Sequence, residues 1–553
     1  MESRRAREQA RRTLVPGAPR RAVFRTVQGE QGVHHQADHE TIILGAGPAG
    51  LQLGYFLATR GRDYLILEAG ESPGSFFTRF PRHGKLLSIN KVYTGSDDPA
   101  VNLRWDWNSL LCTDGIPFKA YSTEYFPRTD VLVQYLRDFA SHFHLQIQCN
   151  TRIQRITREG DFLLQDAQGQ SYRCQRLVVA TGVSQPYIPA IPGIEQAELY
   201  TDVSIDPQDF VNQRVLILGK GNSAFETAEN LVGTAALIHL ASPQPITMAW
   251  QSHYAGHLRA VNNNVLDTYQ LKAQNALLNA QVERITHAQG RYQVTVTYSH
   301  AAAEQECLYY DRVIVCTGFR FDATIFDATC RPELTINDRL PAQTSAWEST
   351  NVSDLYFAGT LMQARDYKHA SSPFIHGFRY NVRALFHILE VRYQQQPWPG
   401  TWLACDPAGL TDYVIARVNR TSALWQQFGF LADVIVLDDA KRQAWCYAAM
   451  PLAYIHETAC RQQPHYYTIT LEYGAQRVSD PFNINRPHSQ DSANAHHSQF
   501  LHPVIRRFDR GRLVSEHHIM EDLEAVWNDD CHVTPLRHYF ERALDVPGYE
   551  QAA

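Results

Sequence analysis

The stretch TIILGAGPAG, residues 41–50, decides the fold of this chain. Its apolar run stops at a glycine, which is typical of a buried parallel strand, and helix-like apolar residues follow at 51–57. The next apolar run, YLIL at 64–67, ends in Glu68. A strand, a glycine-rich turn, a helix and a second strand with a terminal acid together predict a dinucleotide-binding unit. Its pyrophosphate is expected at the helix N-terminus, with Glu68 on a ribose hydroxyl.

A second unit of this kind follows, where the run VLIL (215–218) meets GKGNSA (219–224). Its third glycine is replaced by alanine, which the pattern tolerates because that position serves only the packing of helix against strand. The next strand, ALIHL at 236–240, leads to Ser242 without an acid. Lack of that carboxylate removes repulsion against a 2′-phosphate, so NADPH is favoured over NADH, with Lys220 and Ser242 as phosphate partners. Two dinucleotide sites in one chain predict FAD and NADPH, with hydride passing between them.

Three further apolar runs also end in glycine, at 177–182, 313–318 and 355–359. Strands that end in glycine and alternate with helical stretches are typical of a doubly wound α/β fold. The texture changes at QQQPWPG (394–400), which is interpreted as a linker. The sequence beyond it lacks glycine-rich turns of this kind and is therefore treated as a separate C-terminal region.

Composition disfavours several classes of protein. The 553 residues carry a net charge of −6, which argues against a nucleic-acid binder with a global basic field. No apolar run reaches the roughly 18 residues of a membrane-spanning helix, so no membrane partner is expected. The Arg-rich start lacks an apolar core and is interpreted as a disordered arm rather than a signal or transit peptide. The ten cysteines include no CxxC pair, which predicts reduced thiols in a cytoplasmic protein and disfavours disulfide-reducing chemistry.

Longer motifs resemble a known family. The sequence GKGNSAFETAEN (219–230) resembles the class B flavin monooxygenases, the group of flavin-containing and N-hydroxylating monooxygenases. Within that group the chain is more similar to the FAD-dependent oxidoreductase domain-containing protein 2 family, over roughly residues 38–548. This resemblance is carried by PGSFFTR (73–79), PRHGKLLSINKVYTG (81–95), GKGNSAFETAEN, LDTYQLK (266–272), PFIHGFRY (373–380) and FLHPVI (500–505).

The resemblance implies an α/β fold of two dinucleotide-binding Rossmann-like domains, with the NADPH domain inserted in the FAD domain, plus a C-terminal extension. The expected organisation is a disordered N-terminal arm (1–39), an FAD-binding domain in two parts (40–205 and 311–393), an NADPH-binding domain (206–310) and a C-terminal region (394–553). The residues expected to bind FAD are Gly45, Gly47, Pro48, Ala49, Gly50, Glu68, Ser75, Phe76, Phe77, Thr181, Gly182 and Gly359. Those expected to bind NADPH are Gly219, Lys220, Gly221, Asn222, Ser223 and Ser242.

Asn90 and Lys91 are the candidate catalytic residues. In class B monooxygenases an asparagine beside the flavin ring supports a flavin hydroperoxide, and Asn90 matches that motif position. An amide suits this role because it can donate to a peroxide and to nicotinamide without protonating either. The alternative is a turn-capping asparagine. Lys91 either pairs with a substrate carboxylate or is a solvated surface charge.

Two polar segments, 253–264 and 363–369, match loops that such monooxygenases bring over the flavin. Their side chains would suit a small polar anionic substrate such as an amino acid, whereas the alternative is a solvated, ion-paired loop. A His-rich stretch at 488–502 is interpreted as a surface loop, and no metal is expected. The expected substrate residues are Arg259, Asn262, Asn263, Arg365 and Lys368.

The function expected from this resemblance is that of an FAD- and NADPH-dependent monooxygenase. It would N-oxygenate a small amino acid or amine through a flavin hydroperoxide, with oxygen as co-substrate and with monomer or homodimer left open. Two alternatives remain: a flavin oxidase or diaphorase that releases hydrogen peroxide, and a non-catalytic flavin-bound interaction protein. Segment 200–206 lacks the histidine usual in monooxygenases at that place, which keeps both alternatives open.

Overall fold

The computed structural model describes residues 37–438, 443–474, 480, 484 and 486–544. Two of its sheets contain the strands that lead into the two glycine-rich turns, and a third is formed by the C-terminal region. The α/β fold class predicted from the sequence is therefore confirmed. The predicted N-terminal arm lies outside the described residues up to residue 36, and the first strand already begins at Ala37. Within the described ranges, no helix combines the length and apolarity needed to cross a membrane.

The first half of the fold grows from the strand that precedes the first glycine-rich turn. Its strands are β1 (Ala37–Leu44), β2 (Tyr64–Leu67), β3 (Ile147–Gln148), β4 (Ile153–Glu159), β5 (Asp161–Asp166), β6 (Ser171–Val179) and β7 (Gln185–Pro186); its helices are α1 (Pro48–Thr59), α2 (Pro99–Asn102) and α3 (Thr129–His142). The sheet has the order β3-β2-β1-β6-β5-β4, in which β3, β2, β1 and β6 run parallel. Ile42 and Ile43 of β1 are both fully buried, as expected for a central parallel strand covered on both faces.

The second half repeats this plan around the second glycine-rich turn. Its strands are β8 (Glu198–Leu199), β9 (Arg214–Leu218), β10 (Leu237–Ser242), β11 (Ala276–Ala288), β12 (Arg291–Tyr298), β13 (Gln305–Tyr310) and β14 (Arg312–Val315); its helices are α4 (Asn222–Leu231), α5 (Ala249–Ser252) and α6 (Val265–Asp267). The sheet order is β13-β12-β11-β10-β9-β14-β8, parallel from β11 to β8 and antiparallel beyond β11.

The chain then returns to the first half. The returning elements are β15 (Phe319–Arg320), β16 (Leu334–Thr335), β17 (Leu340–Pro341), β18 (Leu355–Phe357) and α7 (Ile375–Gln394). β18 pairs parallel with β6, and β15 pairs with β7. The second half is therefore inserted between two neighbouring strands of the first sheet, as the sequence predicts.

The C-terminal region forms an antiparallel sheet of its own. Its elements are β19 (Gly400–Ala404), α8 (Pro407–Arg420), α9 (Ala423–Gln426), β20 (Leu431–Asp438), β21 (Gln443–Pro451), α10 (Leu452–Glu457), β22 (His465–Glu472), β23 (His502–Asp509), β24 (Arg512–His518) and α11 (Asp530–Leu544). The strand order is β19-β21-β20-β22-β23-β24. Val434 of β20 packs in the core that includes α1 and α7, and its neighbour Ile435 packs in the core under α8 and α11. Both faces are covered, so this sheet is fixed against the first half and can line a site there.

Candidate cofactor and substrate site

The first glycine-rich turn is shaped by the protein itself at two positions and is open at a third. A Cβ atom added at Gly45, where φ is +107°, would lie 2.9 Å from the Ala180 carbonyl oxygen, which is too close for any side chain. A Cβ at Gly50 would lie 2.0 Å from the Gly45 carbonyl oxygen. At Gly47, by contrast, a Cβ would meet no protein atom within 4 Å. This open space at the N-terminus of α1 fits a pyrophosphate.

Glu68 ties the turn to the following loop. Its buried carboxylate accepts the Ala46 N–H on Oε2 (2.7 Å), and Oε1 accepts the Gly70 N–H and the Ser75 hydroxyl (both 2.7 Å). A carboxylate has about four acceptor positions, so about one remains for a ribose hydroxyl. Ser75, which is predicted to bind FAD, donates the last of these hydrogen bonds to Glu68.

The other predicted FAD residues surround the same turn. Pro48 begins α1, and Ala49 lies close to Gly359, which follows β18, because a Cβ added at Gly359 would lie 2.6 Å from the Ala49 Cβ. Thr181 and Gly182 follow the Ala180 carbonyl that closes against Gly45. The ring of Phe76 is 46% exposed, whereas Phe77 packs against the core of the first half.

The second turn repeats this geometry. A Cβ at Gly219, where φ is +122°, would lie 2.3 Å from the Cys316 carbonyl oxygen. Gly221 is exposed, and a Cβ there would meet no protein atom within 4 Å. Ala224, in the place of the third glycine, is fully buried. Both turns thus have one glycine locked by the preceding fold and one that faces open space.

Lys220 and Ser242, the predicted phosphate partners, lie together. The Lys220 ammonium donates to the carbonyl oxygens of Ser242 and Gln244 (both 3.2 Å) and to Asn279 Oδ1 (2.5 Å). Burial lowers the pKa of Lys220 to about 8. Both residues line a space of about 370 Å³, here called the dinucleotide cleft.

Two further cations line the dinucleotide cleft. Lys368 was predicted as a substrate residue, and Arg339 was not predicted from the sequence. The Arg339 guanidinium lies 3.7 Å from the centre of the Tyr187 ring and donates to the Thr317 carbonyl. No local motif marks Arg339, because it reaches the cleft from the segment between β16 and β17.

The amide of Asn222 is directed at a loop. Its Nδ2 donates to the carbonyl oxygens of Gly256 (3.3 Å) and His257 (2.8 Å), and its Oδ1 accepts the Arg259 N–H (2.9 Å). Asn222 therefore holds segment 253–264 against the second turn. Ser223, its neighbour, lines a small hollow with Tyr200 and Cys316.

The structure does not bring the five predicted substrate residues to one cavity. Arg365 lines a second space of about 660 Å³, here called the C-terminal cavity, whereas Lys368 lines the dinucleotide cleft. Arg259 donates to the Leu87 carbonyl (3.1 Å) and lies over the Trp107 ring. Two others complete the set: Asn262 is buried and Asn263 half-buried.

Two loops form the wall between these spaces. In the first, Ser252 and His253 face the C-terminal cavity, and Gly256 lines the dinucleotide cleft. In the second, Asp366 faces the cavity and Tyr367 the cleft. Burial raises the pKa of Asp366 to about 7, and its two carboxylate oxygens have no hydrogen-bond partner among the described residues. Neighbouring residues of the same two segments thus line both spaces.

The comparisons with known proteins decide the family. Residues 42–359 match the family model described as pyridine nucleotide-disulphide oxidoreductase. A mouse protein, FAD-dependent oxidoreductase domain-containing protein 2, is 39% identical over 91% of this chain and 84% of its own length. The chain belongs to the FAD-dependent oxidoreductase domain-containing protein 2 family. It is accordingly a member of a family of flavin-dependent oxidoreductases.

Two more distant proteins resemble parts of this family member. A probable indole-3-pyruvate monooxygenase from Arabidopsis thaliana is 30% identical over 38% of this chain and 49% of its own length. The solved structure of a bacillithiol disulfide reductase from Staphylococcus aureus is 19% identical, with a TM-score of 0.50, covering 65% of this chain and 100% of that one. The second likeness concerns the fold alone. None of the cysteines with described side chains forms a disulfide here.

Asn90, the family-motif asparagine, is 1% exposed and faces the protein. Its Nδ2 donates to the carbonyl oxygens of Ser122 (2.7 Å) and Glu124 (3.2 Å). Its Oδ1 is buried without a partner among the described residues. In this arrangement the amide hydrogens are used within the protein, so the predicted donor role requires this loop to shift. Lys91 is exposed.

The last histidine of the His-rich stretch, His502, is linked by hydrogen bonds to Glu516, an acid that the sequence did not associate with this stretch. His502 Nε2 lies 2.9 Å from His518 Nδ1, and His518 Nε2 lies 2.7 Å from Glu516. The three side chains thus form a hydrogen-bonded chain. Among the described residues, a separate trio with potential metal-ligand atoms within 4.8 Å of one another is Asp529, Cys531 and His532 at the start of α11. The expectation of no metal stays a prediction.

Proposed function

We propose that this protein is an FAD- and NADPH-dependent monooxygenase that N-hydroxylates an amino acid or amine. The observation that carries the proposal is the pair of open turns at Gly47 and Gly221 in one chain. The first suits a flavin nucleotide and the second a nicotinamide nucleotide. The described cysteines form no disulfide, and the sequence holds no CxxC pair, which favours oxygen over a thiol pair as the electron acceptor. The Arabidopsis relative's name, which includes monooxygenase, agrees with this choice.

The proposed reaction balances with one oxygen molecule. An amine R–NH₂, O₂, NADPH and a proton give R–NHOH, NADP⁺ and water. Bound FAD would supply hydride acceptance and oxygen activation. The amine must be neutral to attack oxygen, because an ammonium has no lone pair, so the rate is expected to rise with pH until the substrate is deprotonated.

The chain's own residues bind and select the nucleotides. Backbone N–H groups at the starts of α1 and α4 hold the two pyrophosphates, aided by the positive ends of these helices. Glu68 holds a ribose hydroxyl of FAD. Lys220, Lys368 and Arg339 provide positive charge in the dinucleotide cleft, which favours the 2′-phosphate of NADPH.

A second candidate is an oxidase that converts NADPH, a proton and O₂ into NADP⁺ and hydrogen peroxide. The hydrogen bonds of Asn90 to the Ser122 and Glu124 carbonyls favour it, because they occupy the donor that would support oxygen transfer.

We also propose a cytoplasmic location, since cysteines without disulfides suit a reducing compartment.

The test is turnover of purified protein with NADPH, isotopically labelled dioxygen and a panel of amino acids and amines. The expected result is a yellow protein that oxidises NADPH and yields a product with one labelled oxygen on nitrogen, seen by mass spectrometry. Peroxide in amounts equal to the NADPH consumed, with every substrate, would support the oxidase. Labelled oxygen found only in ketone or thioether products would contradict N-hydroxylation.

A further inference from the structure

The C-terminal cavity lies where the third sheet meets the wall loops of the first two. Its volume of about 660 Å³ falls within the range of small-molecule sites, roughly 300–1,000 Å³. It is lined by wall residues such as His253 and Arg365 and by the C-terminal residues Phe428, Phe430 and Phe508. The two glycine-rich turns, which would hold the pyrophosphates, contribute nothing to its lining.

Part of the lining that the C-terminal region supplies is apolar. Phe428, Phe430, Leu452 and Phe508 supply aromatic and aliphatic surface from three separate segments. The ring of Phe508 stacks on Tyr466, with ring centres 4.9 Å apart and planes 8° apart, so it presents a fixed face. Surfaces of this kind favour a flat apolar body, because stacking adds to the gain from burying apolar area.

Among the charged residues of this lining, Arg506 and Glu472 are paired, whereas Asp366 is buried and its carboxylate oxygens have no hydrogen-bond partner in the described part of the chain. The Arg506 guanidinium donates to both carboxylate oxygens of Glu472 (2.5 and 3.0 Å) and to Glu516 (2.5 Å). Its positive charge is therefore neutralised within the protein. His253 lies flat on Tyr473, with ring centres 3.8 Å apart, and burial lowers its pKa. Burial also lowers the pKa of His456.

Arg365 is the cation of this lining that has no carboxylate partner among the described residues. It is exposed, and among the described residues its guanidinium makes one hydrogen bond, from Nη1 to the Gln343 carbonyl (2.9 Å). A guanidinium with free donors at the edge of an apolar cavity is suited to a carboxylate, which it can bind through two parallel hydrogen bonds.

We propose that the C-terminal cavity binds a carboxylate that carries an aromatic or similarly flat apolar body, with the carboxylate on Arg365 and the body against Phe430 and Phe508. This deepens the proposed function by giving the substrate an apolar side chain, and only its catalytic meaning rests on that function. The binding itself is independent of turnover. The C-terminal region thereby becomes part of the substrate site.

The experiment is calorimetric titration of the full-length, FAD-loaded protein with three probes. These are 3-phenylpropionate, its uncharged amide 3-phenylpropanamide, and propionate, which lacks the ring. The acid is expected to bind roughly tenfold or more tightly than either control, since each control removes one of the two interactions. Equal affinity for the acid and the amide would overturn the role of Arg365. Equal affinity for the acid and propionate would overturn the role of the apolar side chains.

Three variants locate the site. Arg365→Gln is expected to weaken 3-phenylpropionate by roughly tenfold and to leave the amide unchanged. Lys368→Gln removes a neighbouring exposed cation that lines the other space, so it should leave 3-phenylpropionate affinity unchanged and weaken NADPH. If Arg365→Gln left the acid's affinity unchanged, the proposal would be wrong. Phe430→Leu, which keeps an apolar side chain, should weaken both ring-bearing probes alike.

Binding and turnover fail separately. Binding of the acid as expected, with peroxide as the sole oxygen product, would refute the proposed N-hydroxylation and leave this site standing. N-hydroxylated product from amino acids, without the expected probe preferences or the Arg365→Gln effect, would refute this site and leave the proposed function standing.

Discussion

The two glycine-rich turns, 45–50 and 219–224, share a backbone design and differ in the residue that ends the second strand. In each, the first glycine is locked against a carbonyl, of Ala180 or of Cys316, and the glycine two positions later faces open space. The first unit then ends in the buried Glu68, and the second reaches Ser242 beside Lys220. Backbone shape is thus common to any dinucleotide, whereas the choice of ribose or 2′-phosphate depends on the side chain at the strand end.

The largest expected effect tests the shared backbone design. Gly47→Val places a side chain in the space that fits the pyrophosphate without touching protein, at a φ of −74° that valine accepts. The variant should fold, as judged by circular dichroism, and lose flavin by roughly a hundredfold in affinity or more. Absorbance in the flavin band per protein measures this.

Gly221→Val is the matched control for that change. Its Cβ also meets no protein atom within 4 Å, so flavin content should stay normal while NADPH oxidation is lost. Normal flavin in Gly47→Val, or loss of flavin in Gly221→Val, would show that the two turns are assigned to the wrong nucleotides.

A second difference lies five residues beyond each open glycine. Gln52 is fully buried and exchanges hydrogen bonds with the Leu111 backbone, whereas Glu226 has a pKa raised by burial to about 7. Between its unfolded value of 4.5 and about 7, folded Glu226 holds a proton that the unfolded chain has lost. Its contribution to the free energy of unfolding should therefore fall as pH rises through this window, by up to about 3 kcal/mol.

Glu226→Gln, which copies the first unit, should remove that part of the pH dependence. Denaturant unfolding at several pH values from 4.5 to 8 measures it. Gln52→Glu should create the same dependence in the first unit. Parallel pH profiles for wild-type protein and Glu226→Gln would contradict the raised pKa.

The strand ends can be exchanged. Ser242→Asp puts an acid where the first unit has Glu68, and its charge would repel a 2′-phosphate and attract Lys220. The ratio of kcat/KM for NADPH to that for NADH should fall roughly tenfold or more. Ser242→Ala is the neutral control and should leave the ratio nearly unchanged. An unaltered preference in Ser242→Asp would place the nucleotide's ribose elsewhere.

The smallest expected effect concerns Asn222, which follows the open glycine of the second turn and holds a loop through its side chain. Asn222→Ala removes three hydrogen bonds to segment 256–259, each worth about 1 kcal/mol. Amide hydrogen exchange at 256–259 should become faster, and KM for NADPH should rise a few-fold while flavin content stays normal. Unchanged exchange in this segment would mean that other contacts hold the loop.

Much of the cofactor-binding design could be predicted from local sequence. The spacing of Gly45, Gly47 and Gly50, the apolar run before them and Glu68 after the next strand are all constraints within about two dozen residues. The substrate site could not be predicted in the same way. Arg365 and Lys368 lie three positions apart on one polar loop, yet they line different spaces.

By itself, then, the sequence determined two dinucleotide units, their order in the chain and the residues that end their strands, because backbone conformation at a glycine depends on near neighbours. Only the tertiary structure decided what those units face. Arg339 reaches the dinucleotide cleft from the segment between β16 and β17, and Phe508 of β23 lines the C-terminal cavity. The direction of Asn222 and the pairing of Arg506 with Glu472 likewise follow from which segments pack together. Such contacts join residues far apart in the chain, and no local pattern encodes them.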